Sequence, residues 1–333
     1  MAVDIVFGIV TSTEDPASIR QLVDALGAGC RVVIHHDTGK TPAPAIDRPN
    51  VTILPDPVAT GWGTWGFCQA VIRTIRHAVG TGACDYYQLL SGSCLPIKPI
   101  ADFRDAMMAS PYDANMDLID LDDDEQARYS HGARVFARRG TLSGRLQQRA
   151  ALWYLGDSMA VTQRQNLGIE HRADPPGRAL PPKARIGRLI LDAGRAGWLG
   201  PHPFHGRWRP YVACNWFGCK RPVAEMLANL DPDDPLERYF SRMPFADEAY
   251  FGSRFGNSGF RIGPGNHLVS RFDQSSPVAL TPDDLPTLRG SSAFFARKFP
   301  READAPVRRL VLDQLALPPP AGSARAATGE VPT

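Results

Sequence analysis

The sequence contains no run of eighteen apolar residues, so no segment has the length and apolarity of a membrane-spanning helix. Its six cysteines (Cys30, Cys68, Cys84, Cys94, Cys214, Cys219) are sparse and include no C-x-x-C pair, which excludes a disulfide scaffold and leads us to expect reduced thiols. Walker A, H-E-x-x-H and G-x-S-x-G motifs are absent, and with them the sequence grounds for a P-loop nucleotidase, a zincin or a serine hydrolase. There is no internal repeat. Residues Met1–Gly8 lack a basic start and run straight into strand-like sequence, so no signal peptide is expected. What remains is ordinary globular composition: 43% hydrophobic, 22% charged and a mean hydropathy of −0.23 over 333 residues. Disordered, coiled-coil and collagen-like chains are thereby excluded. Thirty prolines and thirty glycines imply many loops.

The formal net charge of +2 conceals an uneven distribution. Between residues 125 and 210 fifteen Arg and Lys face five Asp and Glu, while the rest of the chain carries 22 basic and 30 acidic residues. Such a basic stretch is suited to an anionic partner such as phosphate, lipid headgroup or acidic glycan, or is simply a solvated surface paired with the acidic remainder.

Hydrophobic periodicity gives an alternating pattern over the first third. Strands are expected at 4–10, 30–37, 51–54, 86–90 and 116–121, and helices at 16–26, 67–79 and 100–108. Alternation with short links is the pattern of an α/β domain with a mostly parallel sheet. After Asp124 the pattern breaks, with one helix expected at 142–155 and Pro-rich stretches at 174–182. It resumes with a strand at 211–219, helices at 223–230, 236–242 and 247–255, a strand at 267–272 and a helix opened by Thr281-Pro-Asp-Asp284. The Pro/Ala/Gly/Ser composition from residue 317 onward reads as disordered.

Several motifs carry chemistry. Gly61-Trp-Gly-Thr-Trp-Gly66 matches G-x-G-x-x-G, but six residues separate it from the preceding strand and it follows the third strand, which argues against a dinucleotide site. Asp120-Leu-Asp122-Asp-Asp124 closes a strand, where hard carboxylates could hold Mg²⁺ or Mn²⁺ against a diphosphate or merely form a solvated turn. His35 and His36 end the second strand beside Asp37, whose place at a sheet's carboxyl edge suits a ligand. Asp247-Glu248 opens a short helix, where the dipole favours an ionised carboxylate fit to act as a base. Arg297-Lys298 follows Phe294-Phe-Ala296, either a phosphate clamp or a surface pair.

Taken in order, these stretches resemble the Branch family, glycosyltransferase family 14: core-2/I-branching β-1,6-N-acetylglucosaminyltransferases and peptide O-xylosyltransferases. Ile34-His-His-Asp37 is similar to its I-H-x-D, and Trp62-Gly-Thr-Trp-Gly-Phe-Cys-Gln69 to its W/Y-x-x-W-x-x-x-Q. Leu89-Leu-Ser-Gly-Ser-Cys-Leu-Pro-Ile-Lys98 resembles L-S-G-x-D-x-P-I-K, the most specific block. Asn215-Trp216-Phe217, Phe245-Ala-Asp-Glu248-Ala-Tyr-Phe and Leu280-Thr-Pro-Asp-Asp-Leu…Phe295-Ala-Arg-Lys-Phe299 resemble three further blocks. The likeness runs from about residue 4 to 300 and covers 125–210 poorly.

The resemblance implies a GT-A-like (Rossmann-like) fold with a large basic insertion. Residues 1–124 would form the nucleotide-sugar half, 125–210 the insertion, 211–316 the acceptor and catalytic half, and 317–333 a disordered tail. It further implies an inverting transferase using a UDP-sugar (UDP-GlcNAc or UDP-xylose) with no cofactor and no metal. Glu248 would be the general base, Lys298 would offset charge on departing UDP, Asp37 and Trp62 would line the nucleoside pocket, and Trp216 and Asp247 would meet the acceptor.

This chain departs from the pattern at Cys94, which stands where the family has Asp. It departs again near residue 275, where a second cation is expected and Arg271 is the substitute. A family-type anchor and disulfides are absent, pointing to a bacterial-type cytoplasmic enzyme, peripheral at the inner membrane face. Its acceptor would be a glycan or lipid-linked glycan; the basic segment would contact acceptor or membrane, and no nucleic acid is a partner. The alternatives are a metal-dependent transferase using Asp120, Asp122 and Asp124 with Mg²⁺ or Mn²⁺, and a noncatalytic glycan- or lipid-binding protein.

Overall fold

The computed structural model describes residues 3–61, 63–164, 166–175, 177–206, 208–231, 233–274 and 276–316. The tail from residue 317, read above as disordered, and Trp62 lie outside the described residues.

The first half alternates as its periodicity demands: β1 (Ile5–Thr11), α1 (Pro16–Leu26), β2 (Arg31–His36), β3 (Val51–Ile53), α2 (Trp65–Gly80), β4 (Tyr86–Ser91), the short β5 (Leu95–Pro96), α3 (Ile100–Ala109) and β6 (Ala114–Asp120). Helix α1 starts where the sequence places it. The Asp15 carboxylate accepts the Ala17 N–H at 3.0 Å, Pro16 occupies the first turn, and Ile19, Leu22, Val23 and Leu26 face inward.

After β6 come α4 (Glu125–Phe136), α5 (Leu142–Leu155), the hairpin β7 (Met159–Arg164) and β8 (Leu167–Arg172), and α6 (Pro182–Arg195). The chain then forms β9 (Tyr211–Lys220), α7 (Arg221–Ala228), α8 (Pro235–Phe240), α9 (Ala246–Gly256), β10 (Ile262–Gly263), β11 (Leu268–Ser270), β12 (Phe272–Asp273), β13 (Ser276–Pro277), α10 (Leu285–Gly290), β14 (Phe295–Arg297) and α11 (Pro306–Val311).

Seven strands make one sheet in the order β10-β6-β9-β4-β1-β2-β3. All neighbours are parallel except β9, which runs antiparallel to both β4 and β6. The protein is thus a mixed α/β fold with a mostly parallel central sheet flanked by helices. Adjacent residues of β4 show why both faces must be covered. Tyr86 stacks edge-on against Phe103 of α3, whereas the Tyr87 hydroxyl meets Thr74 of α2 at 2.7 Å on the opposite side. A smaller sheet, β11-β14-β5, brings β14 against the segment after β4.

Two features position the site. Strand order reverses between β1 and β4, so the connections leaving their carboxyl ends diverge and open a crevice where α/β sheets bind ligands. In addition, the β6–β9 ladder skips from Met116↔Phe217 to Leu118↔Ala213, leaving Asp117 opposite the three residues Cys214-Asn215-Trp216. A bulge of this kind re-aims side chains at a sheet end.

The 125–210 segment holds more regular structure than the single helix expected from its sequence. Helices α4, α5 and α6 enclose a small core of their own, made by Tyr129, Ala133, Ala137, Ala150, Ala151 and Leu191. No helix among the described residues is long and apolar enough to cross a membrane.

Candidate functional site

The crevice is assembled by a chain of contacts running from β2 to β14. Asp37, at the carboxyl end of β2, is 3% exposed. Its carboxylate accepts the Thr60 N–H (2.7 Å), the Thr60 hydroxyl (2.9 Å) and the Gly39 N–H (3.1 Å), with Lys40 3.6 Å away. Burial alone would raise its pKa; those donors and the Lys40 charge outweigh it and hold the carboxyl below its usual range. Asp37 therefore ties down the chain at Gly39 and Thr60. The neighbouring histidines do the same: His35 Nε2 accepts the Val58 N–H at 2.9 Å, and His36 bridges Thr11 (2.8 Å) and Thr41. Burial lowers the pKa of His35 and keeps it neutral.

The glycines of Gly61–Gly66 serve packing rather than a phosphate cradle. Gly63 has φ of +66°, and its carbonyl accepts the Phe245 N–H at 3.0 Å. A Cβ on Gly66 would lie 2.0 Å from the Ala59 carbonyl oxygen. The loop is thereby pressed against both α2 and the start of α9.

Helix α9 opens with Asp247 and Glu248. Asp247 is 6% exposed and accepts the Asn215 amide of the β9 bulge at 2.7 Å, while its Oδ1 is buried without a partner among the described residues. The helix dipole was expected to keep this pair ionised; for Asp247 burial wins. Desolvation first, then the Glu248 charge, push it up to about 7 against the pull of local N–H groups and Asn215. Glu248 is the accessible member, with 23% of its side chain exposed. One of its oxygens takes Arg134 of α4 at 2.5 Å; the other has no partner among the described residues. The same guanidinium lies over the Phe245 ring, 5.3 Å from its centroid.

Across the bulge the Arg297 guanidinium sits 4.7 Å from the Trp216 ring centroid, and Phe67 meets that ring edge-on. Trp216 is 7% exposed, so its face is held by Arg297 instead of lying open to a sugar ring. Lys298, next along, is exposed and has no side-chain partner among the described residues. Its carbonyl accepts the Leu280 N–H (2.9 Å), and Phe299 N–H donates to the Ser93 carbonyl (2.9 Å), which anchors this cation at the lip of the β4 connection. Arg271 reaches the same region but is engaged, with Asp284 at 3.3 Å and the Ala279 carbonyl at 2.8 Å. Cys94 is fully buried; its sulfur accepts the Ser91 N–H at 3.4 Å, and burial raises its pKa, so the thiol is neutral.

The acids proposed for a metal are elsewhere engaged. Asp120 and Asp123 share Arg209 (2.9 and 2.7 Å), Asp122 takes Arg195 at 2.6 Å, and Asp124 pairs with Arg164 while capping α4 through the Ala127 N–H. Among the described residues no group of three His, Cys, Asp or Glu converges on a cation. Each of these four carboxylates is thus paired with an arginine. A cavity of about 550 Å³ lies beside Asp120, Asp123, Asp124 and Arg164.

Of the residues singled out in the sequence, Asp247 and Trp216 meet at the β9 bulge, Glu248 follows Asp247, and Lys298 follows the Arg297 that covers Trp216; Arg134 and Asp117 were not singled out, and Asn215 only as part of a block. Arg134 carried no signal, one arginine among fifteen basic residues in the unmatched segment. Asn215 could have been found as the residue before Trp216, had the bulge been foreseen.

No protein-family model matches the chain, and no curated protein matches it. Among solved structures it is similar to HddC from Yersinia pseudotuberculosis at 10% identity, over 35% of this chain and 60% of that one, with a TM-score of 0.21. It is also similar to the galactosyltransferase LgtC, solved in complex with donor and acceptor sugar analogs, at 9% identity over 94% of this chain and 98% of that one, with a TM-score of 0.34.

Proposed function

We propose that the chain is an inverting GT-A glycosyltransferase. It would move a sugar, GlcNAc or xylose, from a UDP-sugar to a hydroxyl of a glycan or lipid-linked glycan, without a metal ion. One observation carries the reading: Glu248, a carboxylate with one unengaged oxygen, opens the helix whose Asp247 is held by Asn215 of the β9 bulge, and the Arg297 guanidinium lies over Trp216 of the same bulge, with Lys298 next in the chain. Inversion needs that separation of roles. The Glu248 oxygen takes the proton of the acceptor hydroxyl while that oxygen bonds to the sugar C1, and the bond from C1 to the UDP oxygen breaks on the opposite side. Lys298 and Arg297 then face the negative charge that develops on UDP, a task done elsewhere by a divalent cation.

The remaining residues position these groups. Arg134 fixes the Glu248 rotamer, Trp216 holds Arg297, Asp37 holds the Thr60 backbone, Trp62 would meet the nucleoside, and Arg271 supports the Lys298 segment through residues 279–280.

The test is a thermal-shift panel of nucleotide sugars, each with and without EDTA. UDP-GlcNAc or UDP-xylose is expected to raise the melting temperature equally in both conditions. A shift that requires Mn²⁺ would return the site to Asp120–Asp124. No shift with any UDP-sugar, from protein that melts cooperatively, would overturn the reading.

A further inference from the structure

Helices α5 and α6 carry a surface that neither their own core nor the proposed reaction uses. They run antiparallel in close contact: a Cβ on Gly187 would meet the Ala150 carbonyl oxygen at 2.6 Å, and one on Gly194 the Gln147 side chain at 2.1 Å. Both turn Ala150, Ala151 and Leu191 toward Tyr129 and Ala133 of α4. Helical periodicity then puts the opposite faces outward, side by side. On them Leu142, Leu152, Leu189 and Trp198 are 67–83% exposed, and Ile186 is 52% exposed. Single exposed apolar residues are ordinary; five on two adjoining helices and the turn that follows them are not.

The charge on the two helices is mainly positive. Helix α5 contains no acidic residue, and the lone acid of α6, Asp192, is turned to the Tyr129 hydroxyl of α4 at 2.8 Å. Arg145, Arg149 and Lys183 are exposed and have no side-chain hydrogen bond or ion pair among the described residues.

We propose that this face docks on a bilayer surface rich in anionic lipid, lying in the headgroup region with its leucines and Trp198 at the acyl boundary. Apolar side chains interleaved with cations on a helix lying flat are what such a surface binds, and tryptophan favours that boundary because one part of its ring is apolar and its N–H is polar. A second copy of the chain fits less well. A two-fold contact would bring Arg145, Arg149 and Lys183 of both copies together, with only Asp192, already engaged by Tyr129, as an acid on the two helices. The docking surface stands whatever reaction the crevice performs.

The experiment is sedimentation of the full chain with vesicles of equal phosphatidylglycerol and phosphatidylcholine, against phosphatidylcholine alone, in about 0.1 M salt. Binding is expected to the anionic vesicles and to weaken as salt rises. Each cation near the surface contributes about 1 kcal/mol, about fivefold in partitioning, so the R145E/R149E/K183E protein is expected to lose about a hundredfold or more. The L152S/W198S protein should also lose binding, with its melting temperature unchanged because both side chains project into solvent. Either variant alone suffices if the other fails to fold. Absence of binding to anionic vesicles, or binding untouched by the charge reversal, would overturn the proposal. So would a concentration-dependent dimer, seen by light scattering, that L152S/W198S dissolves.

Discussion

Turnover of the Glu248→Gln protein is expected to fall by about 10²–10⁴-fold at saturating donor and acceptor, the usual contribution of a positioned general base. Glutamine keeps the shape and can still accept a hydrogen bond from Arg134, so the first turn of α9 and the Asp247–Asn215 contact should survive. What is lost is the capacity to take a proton. Stabilisation by the UDP-sugar should therefore persist while transfer does not, and that split distinguishes a base from a residue that merely shapes the pocket. The noncatalytic alternative predicts that the wild type has no turnover to lose. If instead Glu248→Gln keeps wild-type turnover, the base lies elsewhere in the crevice.

The second large effect concerns Asp247 and the pH dependence of stability. Its carboxyl moves from 3.8 to about 7 on folding, so between those values the folded state holds a proton that the unfolded state has released. Stability contributed by this group is fully present below pH 3.8, declines as pH rises, and is lost by pH 7–8. The difference corresponds to about 4 kcal/mol at full development. Asp247→Asn removes the titration while leaving an amide oxygen to accept from Asn215. Denaturant unfolding is expected to show the two proteins alike near pH 4 and the Asn variant more stable by about 4 kcal/mol at pH 8. A difference independent of pH, or one growing toward acid, would contradict the burial argument.

The sheet was legible because burial on both faces imposes near-continuous apolar strands, as in β1, β2 and β4, and α1 was legible because Asp15, Pro16 and Gly27 punctuate it. Helices α4 and α6 were not. The first is interrupted by Ser130-His131-Gly132, and the second follows a Pro-rich stretch and carries Gly187 and Gly194, which read as breakers. Close packing on α5 turns those glycines into an asset, a tertiary effect that local propensity does not contain. In the crevice, Glu248 and Lys298 stood out in the sequence through short blocks that resemble a known family. Arg134 lies 114 residues before its partner, and Arg209 is 89 residues beyond Asp120, so neither ion pair leaves a local pattern. The reversal at Asp247 is of the same kind: its place in a first turn is written in the sequence, but its burial against Asn215 depends on a bulge in β9.

The central claim is that this crevice transfers a sugar from a UDP donor using protein cations where other enzymes use a metal. The most direct measurement is UDP release from UDP-GlcNAc and UDP-xylose in excess EDTA, with water taking the place of the acceptor hydroxyl at C1 and free sugar as the second product, followed for wild type and Lys298→Ala. The account predicts release by the wild type that EDTA leaves intact and that falls at least tenfold when the Lys298 charge is removed. Release abolished by EDTA and restored by Mn²⁺, or no release from folded protein with either sugar, would contradict it.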